Sequence, residues 1–193
     1  MDEKNFLNFL NQFNFNEIFQ ITIKNKMPFG FDYGTPETIG NDRLANAAAG
    51  VLHYADSLII VDIGTAITFC VIADKVFKGG LIAPGPGISA RILHEKTSKL
   101  PRVNFDPLYA QIPAKNTEQS IRAGLYFAMR GLIKDVLGEL SEYFEIQTPG
   151  KKPVKILTGG ISERLDFSEE LFDIIDINLT LRGTYSLYEF QKS

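Results

Sequence analysis

One segment of the chain combines a carboxylate, a glycine and a hydroxyl directly after an apolar run, in Asp62-Ile63-Gly64-Thr65-Ala66. Gly64 permits a tight turn with outward-facing backbone N–H groups, and the Thr65 hydroxyl can reach a phosphate oxygen. Asp62 follows a strand and is placed to hold a cation. The segment predicts a phosphate-binding hairpin, although an ordinary hairpin with a capping aspartate explains it equally well.

A second acidic residue opens a predicted helix, in Gly40-Asn41-Asp42-Arg43. Phosphoryl transfer to a hydroxyl needs a positioned carboxylate to accept the proton, and Asp42 is a candidate for it. Arg43 could bind a substrate carboxylate through its guanidinium fork. Taken alone, the pattern is explained more readily by an acid at a helix start and an arginine in a surface salt bridge.

Two glycine pairs follow strands, Gly79-Gly80 and, after Thr158, Gly159-Gly160. Such pairs let the main chain approach closely, either to a ligand or to another strand. A helix predicted directly after the second pair would favour an anion at its N-terminus.

Composition and missing motifs exclude several other kinds of chemistry. The 193 residues carry a net charge of -3, with the charges interspersed, which argues against a nucleic-acid partner. There is no HExxH, GxSxG or Walker A motif, and Cys70 is the single cysteine. Because the sequence has no signal peptide or apolar span and no cysteine pair, we expect a cytoplasmic protein with no membrane partner.

The elements that must position these residues are predicted from hydrophobic periodicity. Residues 58–81 read as a three-stranded antiparallel meander, and the alternation of strands and helices after it indicates an α/β fold that differs from a Rossmann sheet. The other predicted elements are helices over residues 1–13, from about 42, over 88–98, from 116 or 117 to about 144, near 161–165 and over 179–190, and strands over 20–23, 154–157 and 173–177.

Four collinear motifs resemble the type III pantothenate kinases, a family that includes the Bvg accessory factors. These kinases belong to the superfamily of acetate and sugar kinases, Hsp70 and actin. The motifs are YGTPETIGNDRLANAAAG, IIVDIGTAITF with the segment following it, KNTEQSIRAGLYFAMRGLI and ILTGGISERL. The resemblance implies a ribonuclease H-like (actin-like ATPase) α/β fold. Its second half would be intact and its first half N-terminally truncated.

The resemblance also implies an activity, which is the ATP-dependent phosphorylation of pantothenate to 4′-phosphopantothenate in coenzyme A biosynthesis. Asp42 would accept the proton of the substrate hydroxyl, and Asp62 would hold a monovalent cation, K⁺ or NH₄⁺. Mg²⁺ would accompany the nucleotide. The implied pantothenate contacts are Tyr33, Gly40, Asn41, Asp42, Arg43 and Thr117, and the implied phosphate contacts of ATP are Gly64 and Thr65. A homodimer is implied, with the long helix from Thr117 as the candidate dimer helix.

The chain departs from the family in one respect, because no D-x-G-N-T phosphate motif occurs in it. We therefore expect residues 1–56 to be the remnant of a first half carrying the substrate-binding GxDR segment, and residues 57–193 to form the second actin-like domain. The chain could be a fragment or the product of a misplaced gene start, a genuinely shortened homologue, or one of two polypeptides that share the fold. The alternative function is a non-catalytic or regulatory homologue that keeps the dimer and the substrate site but does not bind ATP.

Overall fold

The apolar runs between residues 58 and 84 form the centre of a six-stranded sheet. The computed structural model describes residues 5, 9, 10, 12, 13, 15, 17–107 and 111–193. The strands are β1 (Gly30–Phe31), β2 (Leu58–Ile63), β3 (Ala66–Ala73), β4 (Val76–Pro84), β5 (Val154–Thr158) and β6 (Ile174–Ile175). Their order across the sheet is β1-β4-β3-β2-β5-β6. The meander β2-β3-β4 is antiparallel, whereas β1, β5 and β6 pair in parallel with their neighbours.

Five α-helices lie wholly within the described residues and connect or cover these strands. They are α1 (Asn41–His53), α2 (Pro86–Lys96), α3 (Thr117–Gln147), α4 (Ser168–Leu171) and α5 (Leu179–Lys192). The start of α3 is capped by Asn116, whose side-chain oxygen accepts a hydrogen bond from the Gln119 N–H at 2.9 Å. Two 3₁₀ turns, Pro36–Thr38 and Ser162–Arg164, complete the regular structure of the described residues.

Helices lie on both faces of the sheet, because the side chains of β2 alternate between two apolar layers. Leu58 and Ile60 pack with α1 and α5 in one cluster. Ile59, Val61 and Ile63 pack with α3 in the other. The arrangement places the C-terminal end of β2, and with it Asp62, beside the first turns of α1.

Most of the predicted elements are confirmed. The meander, α1, α2, α3, β5 and α5 lie where the sequence places them, within a few residues at their ends. The helix predicted near residues 161–165 is wrong, since only the three-residue 3₁₀ turn forms there. The strand predicted over residues 20–23 is also wrong, since this segment pairs with no strand among the described residues and ends in a turn. The two-residue β1 was not predicted, and the helix predicted for residues 1–13 falls largely outside the described residues.

The predicted division at residue 56 stays a prediction. Phe29 and Leu44 precede this position and share one apolar cluster with Ile60 and Phe77, which follow it. Among the helices that the structure describes, none is long and apolar enough to cross a membrane.

Candidate active site

The candidate site lies where the first turns of α1 meet the C-terminal end of β2. Asp42 and Asp62 are close enough for the charge of one to act on the other. Burial raises the pKa of the Asp62 carboxyl, and the hydrogen bond from Asn46 opposes this effect while the Asp42 charge adds to it, so that the pKa stands above its ordinary value. The site is therefore a pair of carboxylates at the C-terminal end of the central strand β2, with Asp42 exposed and Asp62 partly buried.

Asp42 is held by the backbone of its own helix. Its Oδ1 accepts a hydrogen bond from the Arg43 N–H at 2.9 Å, in the first turn, where the helix dipole favours a negative charge. Gly40 leaves room for this carboxylate, because a Cβ at Gly40 would lie 2.5 Å from Oδ1. Oδ2 makes no hydrogen bond to any residue that the structure describes, and it is free to accept a proton or a hydrogen bond.

Arg43 is buried, with 5% of its surface exposed. Its Nε donates to the Cys70 Sγ at 3.3 Å and its Nη2 donates to the Phe69 carbonyl oxygen at 3.4 Å, while the guanidinium carbon lies 5.4 Å from the centre of the Phe77 ring. Within the described part of the chain no carboxylate forms an ion pair with it. The reading of Arg43 as a surface salt-bridge residue is therefore wrong.

The Arg43 guanidinium keeps its charge in this position. Burial would lower its pKa, but Cys70 and Tyr33 beside it raise the pKa above its ordinary value. Burial also raises the pKa of the Cys70 thiol. A buried cation without an anionic partner is costly, and its presence is explained if an anionic ligand supplies the missing charge.

Asn46 is a site residue that the sequence reasoning missed. It is 1% exposed, and its Nδ2 donates to the Asp62 Oδ2 at 2.9 Å. Its position on α1, one turn after Asp42, was the available signal, because a polar residue inside the alanine run of a buried helix face needs a partner.

The β2–β3 hairpin presents Thr65 to solvent. The Thr65 hydroxyl has no hydrogen-bond partner in the described part of the chain, whereas its carbonyl accepts the Gly85 N–H at 2.9 Å. The Gly64 N–H donates to the Ala66 carbonyl at 2.9 Å, so Gly64 shapes the turn and is not itself a free donor. A Cβ at Gly85 would lie 2.6 Å from the Thr65 carbonyl oxygen, which explains the glycine that closes the meander.

The two glycine pairs serve mainly to bring backbones together. Gly80, at φ +154°, leaves no room for a Cβ, which would lie 2.7 Å from the Phe69 carbonyl carbon and 3.2 Å from the Arg43 Nη2. Gly159, at φ +105°, packs against the Ile63 backbone, with the Ile63 nitrogen 2.6 Å from where a Cβ would be. Gly160 has nothing within 4 Å of its Cβ position, so only this residue of the second pair leaves space for a ligand.

The structure brings most of the predicted site residues together. Tyr33 is half-buried and lies close enough to Arg43 to act on its pKa. Gly40 and Asn41 form the exposed start of α1. Thr117 lies apart at the first turn of α3, and no hydrogen bond or ion pair joins it to Asp42 or Arg43 in the part of the chain that the structure describes.

Asp62 offers a carboxylate, which is a hard oxygen ligand, and the nearby Asp42 adds negative charge that a cation would offset. Among the described residues there is no group of three or more His, Cys, Asp or Glu side chains that could hold a metal ion. The monovalent cation predicted at Asp62 stays a prediction.

The fold is that of the actin-like ATPases. The crystal structure of a conserved Baf family protein from Campylobacter jejuni matches 85% of this chain and 69% of its own chain, with a TM-score of 0.55 and 24% sequence identity. The match assigns the mixed α/β sheet and its helices to this class.

The family follows from the sequence comparisons. Residues 2–139 match the family model described as type III pantothenate kinase. A type III pantothenate kinase from Persephonella marina is 39% identical over 166 residues, and one from Bacillus cytotoxicus is 36% identical over 165 residues. These alignments cover 86% and 85% of this chain. The chain belongs to the type III pantothenate kinase family.

The chain spans less than two thirds of the length of the curated relatives that it matches. The alignments cover 63% of the Persephonella marina protein and 61% of the Bacillus cytotoxicus protein. Because the chain spans only part of these relatives, the family model shows its family and not the activity of a whole kinase.

Proposed function

We propose that this chain carries the pantothenate-binding part of a kinase that phosphorylates pantothenate to 4′-phosphopantothenate, the first step of coenzyme A biosynthesis. The observation that carries the proposal is the buried Arg43 guanidinium without a carboxylate partner, next to the exposed Asp42 carboxylate. Pantothenate has a carboxylate at one end and a primary hydroxyl at the other. A cation to pair with the carboxylate and a proton acceptor for the hydroxyl are the two groups that such a ligand requires.

Each predicted residue has a role in this proposal. Arg43 pairs with the pantothenate carboxylate. The other proposed contacts of pantothenate around it are Tyr33, Gly40 and Asn41. Asp42 accepts the proton of the substrate hydroxyl through Oδ2, because Oδ1 is already bonded to the backbone. Orienting the hydroxyl and removing its proton are the contributions that phosphoryl transfer requires of the protein.

The nucleotide and ion roles fall to the hairpin. In the proposal, Thr65 and the backbone around Gly64 contact a phosphate of ATP, and Asp62 holds a K⁺ or NH₄⁺ ion close by. Mg²⁺ would arrive with the nucleotide and offset phosphate charge. The free Thr65 hydroxyl and the open space at Gly160 support this placement.

We further propose a homodimer built on α3. Gly124, Gly131 and Gly138 recur every seven residues along this helix, all three are exposed, and none has an atom within 4 Å of its Cβ position. Such a row of glycines permits close approach of a second helix. Thr117 would then act as a pantothenate contact near the subunit interface. Sedimentation velocity is expected to give the mass of two chains, and a monomer at micromolar concentration would refute the dimer.

The alternative is a homologue that binds pantothenate without transferring phosphate. It is favoured by the lack of a D-x-G-N-T motif in the sequence, because distant side chains do not replace the amide donors of a phosphate loop.

One pair of assays separates the two functions. The kinase proposal predicts formation of 4′-phosphopantothenate that depends on ATP and on K⁺, with Na⁺ as the matched control ion. Calorimetric titration with pantothenate and with ATP runs in parallel on the same folded sample. Pantothenate binding without ATP binding or turnover would refute the kinase and support the alternative, and no binding of pantothenate would refute both.

A further inference from the structure

A chain of two hydrogen bonds links the C-terminal helix to the acidic pair. The Thr180 Oγ1 donates to the Asn46 Oδ1 at 2.7 Å, and the Asn46 Nδ2 donates to the Asp62 Oδ2 at 2.9 Å. Asn46 is almost completely buried, so water does not substitute readily for either partner. Thr180 lies outside the motifs from which the site was predicted, and Asn46 lies within the first of them but was not among the predicted site residues.

The orientation of the Asn46 amide follows from the chemistry of its two neighbours. An ionised carboxylate only accepts hydrogen bonds, so the amide NH₂ must face Asp62. The amide oxygen then faces Thr180, whose hydroxyl can donate to it. A reversed amide would set its oxygen against the Asp62 carboxylate, so the carboxylate selects the orientation. The Thr180 hydroxyl holds the amide in place by donating to its oxygen.

The close crossing of α1 and α5 makes this contact possible. Gly183 lies against the backbone of Ala45, where a Cβ would overlap the Ala45 carbonyl group. Ala45 precedes Asn46, and Thr180 lies about one turn before Gly183 on α5. The crossing therefore brings the Thr180 hydroxyl to the amide.

The hydrogen bond from Asn46 also decides which Asp62 oxygen remains available. Oδ2 is taken by Asn46, whereas Oδ1 lies on the side of Gly64, 3.9 Å from where a Cβ on that residue would be. The free oxygen thus faces the turn proposed to bind phosphate and cation.

We infer that Asn46 is a positioning residue that turns the free oxygen of Asp62 toward the β2–β3 hairpin, and that the hydrogen bond from Thr180 on α5 anchors the Asn46 amide in this position. The inference rests on the proposed role of Asp62 as a cation ligand. Residues that orient a metal ligand commonly change metal affinity about 10- to 100-fold when they are substituted.

The test compares three variants of the full chain. Thr180→Val removes the hydroxyl and keeps the shape of the side chain, and Thr180→Ser restores a hydroxyl at the same place. Thr184→Val is the matched control, because the Thr184 hydroxyl donates to the Thr180 carbonyl within α5 and does not contact Asn46. The Asn46 side-chain N–H signals in a ¹H–¹⁵N spectrum, identified by their loss in Asn46→Leu, report on the amide directly.

The signals are followed while KCl replaces tetramethylammonium chloride at constant ionic strength. We expect a saturable shift in the wild-type chain, a half-saturating KCl concentration about 10- to 100-fold higher in Thr180→Val, and values close to wild type in the other two variants. Wild-type signals and a wild-type midpoint in Thr180→Val would overturn the inference.

Asn46 signals that do not respond to KCl in the wild-type chain would refute the cation role of Asp62. The role of Thr180 is then tested by comparing the Asn46 signals of the variants without KCl. In that case, Asn46 signals altered in Thr180→Val and restored in Thr180→Ser support the role of Thr180. Unaltered signals overturn it.

Discussion

Replacing Arg43 by methionine separates a binding role from a structural one. The hydrogen-bond partners of the guanidinium are weak, since the acceptor of Nε is a thiol sulfur, which accepts poorly, and the carbonyl acceptor of Nη2 lies at 3.4 Å, longer than the usual 2.9–3.0 Å for N–H···O. The Phe77 ring at 5.4 Å adds about 2 kcal/mol, because both partners of this cation–π contact are buried. Against these stands the cost of burying a charge, which is several kcal/mol.

The contacts of the guanidinium and the cost of burying its charge nearly cancel. Arg43→Met is therefore expected to leave the free energy of unfolding within about 1 kcal/mol of wild type, or to raise it. Pantothenate binding behaves differently. A hydrogen bond to a charged group contributes about 1.5–3 kcal/mol, which corresponds to an affinity about 10- to 150-fold lower without it. The variant is therefore expected to be as stable as wild type and to bind pantothenate poorly.

Urea unfolding and calorimetric titration with pantothenate measure the two quantities. Arg91→Met is the matched control, because Arg91 is exposed and its ion pair with Glu95 is long, at 3.8 Å. An unchanged pantothenate affinity in a folded Arg43→Met protein would refute the binding role. A loss of more than about 3 kcal/mol of stability, with binding retained in the folded fraction, would make Arg43 a structural residue.

Three further predictions concern catalysis, packing and pH. Asp42→Asn keeps an oxygen for the helix N-terminus, so it should lower the rate of phosphorylation at least about 10²-fold with little loss of pantothenate affinity, measured by product formation and calorimetry. Gly159→Ala should cost more than about 2 kcal/mol in urea unfolding, because of its positive φ and the neighbouring backbone, whereas Gly160→Ala should cost little. Although burial would raise it, hydrogen bonds led by that from Tyr54 hold the pKa of Asp176 below its ordinary value, so Asp176→Asn should lose stability at pH 7 and lose less than wild type on acidification.

Each of these outcomes can fail in a specific way. Full turnover in Asp42→Asn would remove Asp42 as the proton acceptor. Equal losses of stability in Gly159→Ala and Gly160→Ala would contradict the assignment of Gly159 to backbone packing and of Gly160 to open space. The stability due to Asp176 is present above its unfolded pKa of about 3.9 and is lost as the pH falls through the lower folded value. Parallel stability curves for wild type and Asp176→Asn below pH 4 would therefore contradict its role.

The sequence predicted the central strands and long helices because their patterns are strong. The meander around β3 has apolar runs bounded by turns, and α3 has a clear cap at Asn116. The helix predicted near residue 161 does not form, because the glycine pair at the end of β5 is followed by only one 3₁₀ turn. The two-residue β1 has too little sequence to produce a periodic signal, and only its pairing with β4 defines it.

The candidate site was predicted in part. Asp42 and Asp62 could be found because each stands in a short motif with glycine, and the chemistry of carboxylates limits what such a motif can do. The burial of Arg43 could not be predicted, since it depends on the position of β3 and β4 beneath α1. Asn46 and Thr180 lie 134 residues apart, and only the tertiary crossing of two helices brings them together.

The most direct test of the account follows the Arg43 Nε–H signal by NMR during titration of the wild-type chain with pantothenate. This proton lies in a buried hydrogen bond to Cys70, so it is expected to be observable. We predict a saturable shift with pantothenate and none with pantothenyl alcohol, which lacks the carboxylate. No shift with pantothenate, or the same shift with both compounds, would contradict the claim that Arg43 is the carboxylate-binding residue of a pantothenate site.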